Sequence, residues 1–166
     1  MNNSEIPYNR EKAVAYARKW ALERNPRYYN FTGLGGDCAN FASQCSYEGA
    51  GIMNYQPLYG WYYESPQNRT PSWSGVKYLY NFLTGNQGSG PWAVETDLIQ
   101  IQPGDIVQLA TYLPEFHHTL VVVETGDVPT LENTLICAHS YDSLNRPLAT
   151  YDITRMRCLH IAGVRA

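Results

Sequence analysis

Between residues 9 and 24 the apolar positions Ala13, Val14, Ala17, Trp20 and Ala21 recur at helical spacing. Arg10, Lys12, Arg18, Lys19 and Glu23 fill the opposite, solvated face. The pattern predicts a helix from Asn9, its N-cap, to Arg24. Asn25-Pro26 closes it, because a residue before proline avoids the α region. A loop rich in glycine follows, Gly33-Leu34-Gly35-Gly36. A second helix is predicted from Asp37 to about Gly49, with Asp37 as N-cap and Cys38 in the first turn. Residues 51–71, rich in Tyr, Pro, Asn and Gly, read as an ordered loop. Ser72 is expected to cap a third helix reaching about Leu83, with Trp73, Val76, Tyr80 and Leu83 on one stripe. Residues 84–91 read as a flexible connector, too short to link two domains. Beyond Leu98 the texture turns β-rich, with strands expected at Ile106 to Ala110, His118 to Glu124, Thr134 to His139 and Cys158 to Val164. Helices first and strands afterwards imply an α+β fold, with an antiparallel sheet packed by helices on one side.

The chain has 166 residues, enough for one domain with its own core, and contains no internal repeats. Lys and Arg number 12 against 15 Asp and Glu, a net charge of −3, which leaves no basic face for nucleic acid or an anionic membrane. No apolar run approaches the roughly 20 residues of a membrane span. The opening stretch, MNNSEIPYNREKA, lacks the apolar core of a signal peptide. The expectation is a monomer that either stays inside the cell or has lost a leader. Charged residues make up only 16% and aromatics 13%, with 14 Tyr, so uncharged polar side chains carry much of the polar work. Cys38, Cys45, Cys137 and Cys158 are separated by 7, 92 and 21 positions. That spacing is neither a disulfide framework nor a zinc pattern, and mostly free thiols are expected.

Cys38 is the residue best placed for chemistry. Unpaired N–H groups at a helix start lower a thiol pKa and can hold a developing oxyanion. The preceding glycines let a substrate backbone approach closely. Cys45 and Phe41 return to the same helical face and read as core, as do Cys137 and Cys158 within β-rich runs. A thiolate needs a base. His117 and His118 stand at the entrance of a strong strand, and alternation lets only one of them face the helix without choosing which. His139 ends the next strand and is a candidate to orient the imidazole, with Asp142 and Asn145 as competitors. His160 reads as structural. Trp61, Tyr62, Tyr63, Trp73 and Tyr78 either pack in the core or offer aromatic faces to a sugar or peptide.

Several ordered motifs resemble one family: Tyr8-Asn9-Arg10, Gly35-Gly36-Asp37-Cys38 with Asn40-Phe41 and Ser43-Gln44, Gly60-Trp61-Tyr62-Tyr63, Ser72-Trp73-Ser74-Gly75-Val76, Pro103-Gly104-Asp105-Ile106-Val107 and Ala138-His139-Ser140 with Asp142. Together they resemble the bacterial putative amidase domain, a relative of CHAP and NlpC-type hydrolases of the papain-like group, from Tyr8 to about Leu148. The resemblance implies a papain-like fold and a cysteine hydrolase that cleaves an amide bond through a thioester, with a small peptide or peptidoglycan fragment as substrate. Cys38 carries over as nucleophile, His118 as base and His139 as the third polar residue, and His117 stands as a second candidate for the base. Cys38 is expected to exist partly as a thiolate paired with protonated His118. Asp37 is expected to cap and shape the loop and, with Trp61, Tyr62 and Trp73, to contact substrate. No metal or cofactor is expected. The rival readings are a peptidoglycan- or carbohydrate-binding module and an acyltransferase on the same Cys-His pair.

Overall fold

A computed structural model describes residues 4–166 of the chain. The first helix, α1 (Arg10–Trp20), is capped by the Asn9 side chain, which accepts from the Lys12 N–H at 3.1 Å. It buries Ala13 and Ala17 and stops before the Arg24 suggested by its periodicity. There the Trp20 carbonyl accepts from the Glu23 N–H at 3.2 Å in a tighter turn, and His139 Nε2 lies 2.7 Å from the same oxygen. The second helix, α2 (Cys38–Ala50), is buried along nearly its whole length and ends on Gly51, whose left-handed φ of 71° no side chain would favour.

The stripe beginning at Ser72 forms two helices rather than one. These are α3 (Pro71–Ser74) and α4 (Val76–Gly85), separated by the extended Gly75. Thr70 takes the N-cap position, and the Ser72 hydroxyl donates instead to the Gly60 carbonyl at 2.6 Å. The short pair β2 (Tyr63–Ser65) and β3 (Asn68–Arg69) forms a hairpin within the Tyr-rich segment.

One antiparallel sheet takes in β1 (Glu5–Ile6), β4 (Gly90–Thr96), β5 (Ile106–Ala110), β6 (His118–Glu124), β7 (Leu135–Ala138), β8 (Ser143–Pro147) and β9 (Arg155–Arg165). Its order is β1-β9-β5-β6-β7-β8, with β4 on the other side of β9. Strands β5 and β6 fall where their β-rich runs predict them. Strand β4 starts inside the expected connector, which is ordered by Asn86. That amide donates to the Ser89 and Pro91 carbonyls. Strand β8, polar in sequence, is not announced by alternation at all.

Alternation assigns the two sheet faces. Ile106, Val121, Val123, Cys137, Leu159 and Ile161 join one core with Phe41, Ala42, Cys45, Trp61, Trp73 and Leu79 from the helices. Val107, Leu109, Leu120, Val122, Ile136 and Ala138 form a second core, covered by Ile101, Leu148 and Tyr151 from the loops. The architecture is thus α+β, with helices on one face and irregular segments on the other. All four thiols are free and buried. His160 is structural, with Nδ1 2.9 Å from Asp105 Oδ2. Among the described residues no helix is long and apolar enough to cross a membrane.

Candidate active site

Cys38 opens α2 at one end of the sheet. Strand β7 pairs with β6 only from Cys137↔Val121 onward, so the start of β6 has no strand neighbour on that side. The Cys38 sulfur occupies this gap. Its thiol donates to the His117 carbonyl, Sγ–O 3.8 Å. The Thr119 and Ala39 N–H groups and the Thr119 hydroxyl lie close enough to favour a thiolate. Burial outweighs them and pushes the thiol pKa up from its ordinary value, with the Asp37 carboxylate acting in the same direction.

Cys38, His117 and His118 line one cleft of about 600 Å³ with Tyr141, Arg146 and Tyr151. The histidines differ in what occupies their rings. The Thr111 N–H donates to His117 Nε2 at 3.1 Å, and the Thr111 hydroxyl lies 3.0 Å from the same atom. That lone pair is spent within the β5–β6 connection. The His118 ring makes no hydrogen bond among the described residues and lies 5.6 Å, centroid to centroid, from the Tyr151 ring. His118 is nearly buried, and its pKa is pushed down to about 4 by desolvation, then by His117 and Arg146. Burial thus disfavours the charged form of each group and works against the expected thiolate–imidazolium pair.

His139 is not brought to His118. Continuing the β6–β7 register opposes Thr119 to His139 and His118 to Ser140, so the two histidines point to opposite faces of the sheet. His139 turns toward the helices, where its ring stacks on Phe41 with centroids 3.9 Å apart. Nδ1 lies 2.6 Å from Asp37 Oδ2 and Nε2 lies 2.7 Å from the Trp20 carbonyl. Both contacts become hydrogen bonds only when the ring carries both hydrogens. Asp142 and Asn145 do not reach His118 either. Asp142 is gripped through both oxygens by Arg24 at 2.9 Å, and Asn145 accepts from Arg18.

The substrate contacts expected of Asp37, Trp61, Tyr62 and Trp73 are not what these side chains make. Asp37 is fully buried and gives no side-chain cap to α2. Its carboxylate accepts from the Phe31 N–H, the Asn40 amide and His139, and its own N–H donates to the Ser140 hydroxyl at 2.8 Å. Asp37 shapes the loop from beneath. Trp61 and Trp73 have no exposed surface; their indole N–H groups donate to the Ser43 hydroxyl and to Asn40 Oδ1. Tyr62 stacks on Tyr55, donates to Asn68, and does not line the cleft. The aromatic residues at the cleft mouth are Tyr112, 82% exposed, and Tyr141, 89% exposed. Neither stands out in the sequence beyond its proximity to the candidate histidines. Ser140 and Tyr141 adopt left-handed φ values of 57° and 65° where the chain leaves β7.

Among the described residues no cluster of His, Cys, Asp and Glu has the makings of a metal site. The chemistry open to the cleft is that of a thiol, an unencumbered imidazole and a guanidinium.

Residues 7–162 match the family described as Putative amidase domain. A Bacillus subtilis (strain 168) protein described as Uncharacterized protein YhbB is 33% identical over 156 residues, 89% of this chain. The match takes in 46% of that relative, so the chain spans about half its length. No solved structure matches. The family's description points to hydrolysis of amide bonds. With the match covering nearly the whole sequence, this chain belongs to the putative amidase domain family.

Proposed function

We propose that the chain is a cysteine-dependent amidase or peptidase of papain-like type, with Cys38 as nucleophile and His118 as base. The carrying observation is that Cys38, at the start of α2, shares a cleft with the one of the two adjacent histidines whose ring nitrogens are not engaged by other groups. Because burial disfavours the charged form of each group, His118 takes the thiol proton as sulfur attacks the carbonyl carbon, rather than before. The tetrahedral oxyanion is held by N–H groups at the start of α2, including that of Cys38. The imidazolium then gives its proton to the departing amine, leaving a thioester on Cys38. Water, deprotonated by His118, hydrolyses the thioester and regenerates the thiol. Tyr151 fixes the His118 ring by packing, a role expected at first of His139.

The substrate class consistent with this cleft is a short peptide, including the stem peptides of peptidoglycan. Burial of Trp61 and Trp73 weakens the reading as a sugar-binding module, which needs exposed aromatic faces. The test is incubation of wild type, Cys38→Ser and His118→Ala with a panel of muropeptides and peptide amides, read by mass spectrometry. Release of an amine product by wild type, lost in both variants, is expected. Undiminished turnover in Cys38→Ser would refute the mechanism.

A further inference from the structure

We propose that Arg146 is an anion-binding residue of this cleft, selecting substrates that carry a carboxylate beside the amide to be cleaved. The proposal rests on the cysteine-amidase reading and adds the substrate class to it. Arg146 lies on β8 and is the only Arg or Lys among the described residues that line the cleft. It is held in place without being neutralised. Its Nε donates to the Thr150 hydroxyl at 2.7 Å and Nη2 to the Thr150 carbonyl at 3.3 Å. Its guanidinium lies 3.7 Å from the centre of the Tyr151 ring. These contacts leave Nη1 without a hydrogen-bond partner among the described residues.

Other guanidiniums near the site are paired. Arg24 is bound to Asp142 and Arg18 lies beside Glu124. Arg146 makes no such ion pair among the described residues. Asp152, the one carboxylate lining the cleft, is exposed and outside ion-pairing distance of it. A fixed, planar and unpaired guanidinium in a partly desolvated cleft is suited to a carboxylate, which it can engage through parallel N–H groups.

The test uses the thiol itself and needs no turnover. Cys38 is alkylated with iodoacetate and with its neutral isostere iodoacetamide, and the two rates are read by peptide mapping. The iodoacetate-to-iodoacetamide ratio at Cys38 is expected to exceed that of N-acetylcysteine by about tenfold, roughly 1.4 kcal/mol. It should return to the N-acetylcysteine ratio in Arg146→Gln. A ratio equal to that of N-acetylcysteine in wild type would overturn the carboxylate site and leave the amidase reading standing. No alkylation by either reagent would overturn both, because both require the sulfur to open into the cleft. Among cleaved peptides, pairs differing as Glu against Gln beside the scissile bond, or as free acid against amide at the terminus, distinguish a side-chain from a terminal carboxylate. The preferred acid should show a KM about tenfold lower than its neutral partner at similar kcat in wild type, and no advantage in Arg146→Gln.

Discussion

Asp37 Oδ2 and His139 Nδ1 stand 2.6 Å apart with almost no solvent access to either side chain. The contact joins the residue before the candidate nucleophile to the end of a central strand. Asp37→Ala also strips the Phe31 N–H and the Asn40 amide of their acceptor, whereas His139→Ala leaves the carboxylate those donors and Arg24 at 3.5 Å, so Asp37→Ala is expected to cost about 3–5 kcal/mol of stability and His139→Ala about 2–3 kcal/mol. Urea denaturation checks this, and a cost below about 1 kcal/mol for either variant would count against a structural pair. The double variant should cost less than the sum of the singles.

Acidification should weaken the fold through His118. In the folded chain its pKa is about 4, against an ordinary 6.5. Between these values the unfolded chain takes up a proton that the native chain refuses, so stability falls as pH drops through this window. The full difference is about 3 kcal/mol, lost by pH 4 and present above pH 6.5. Denaturation of wild type and His118→Gln at pH 7 and pH 4 isolates the effect. The variant should lose less stability than wild type, and an equal loss would contradict the assignment.

The same desolvation bears on thiol reactivity. Burial holds the Cys38 thiol above its ordinary value, so iodoacetamide alkylation should be slow at pH 6 and rise on the alkaline side of neutrality. A fast plateau at pH 6 would instead indicate a preformed thiolate–imidazolium pair.

Aromatic substitutions should separate core from cleft. Trp73→Ala removes a fully buried ring and should cost about 3–5 kcal/mol. Tyr112→Ala and Tyr141→Ala, at the cleft mouth, should leave the denaturation midpoint nearly unchanged and raise KM by about two- to tenfold. Unchanged KM in both would remove these residues from substrate contact.

The cysteine at a helix start and the two long central strands were legible because each obeys a local rule. The Gly-Gly-Asp-Cys run marks the α2 terminus, and β-rich apolar runs bounded by turn residues mark β5 and β6. Strand β8 was illegible because Asn145 and Arg146 carry no apolar alternation; it forms by pairing with β7. Strand adjacency alone suggests that His139 neighbours His118, but the pairing register sets the two on opposite faces, and a shift of one residue reverses the face. Asp37 looked like a cap because its residue type fits one, whereas the buried imidazole of His139 competes for its carboxylate. Arg146 and Tyr151 gave no signal because their place in the cleft depends on how the chain turns beyond β7, a non-local result.

The account stands most directly on the covalent intermediate. Wild type quenched in acid during turnover of a cleaved peptide amide should carry the acyl fragment on the tryptic peptide containing Cys38, and hydroxylamine should remove it. An acyl group found on another residue, or turnover with Cys38 never modified and retained in Cys38→Ser, would contradict the assignment of Cys38 as the nucleophile.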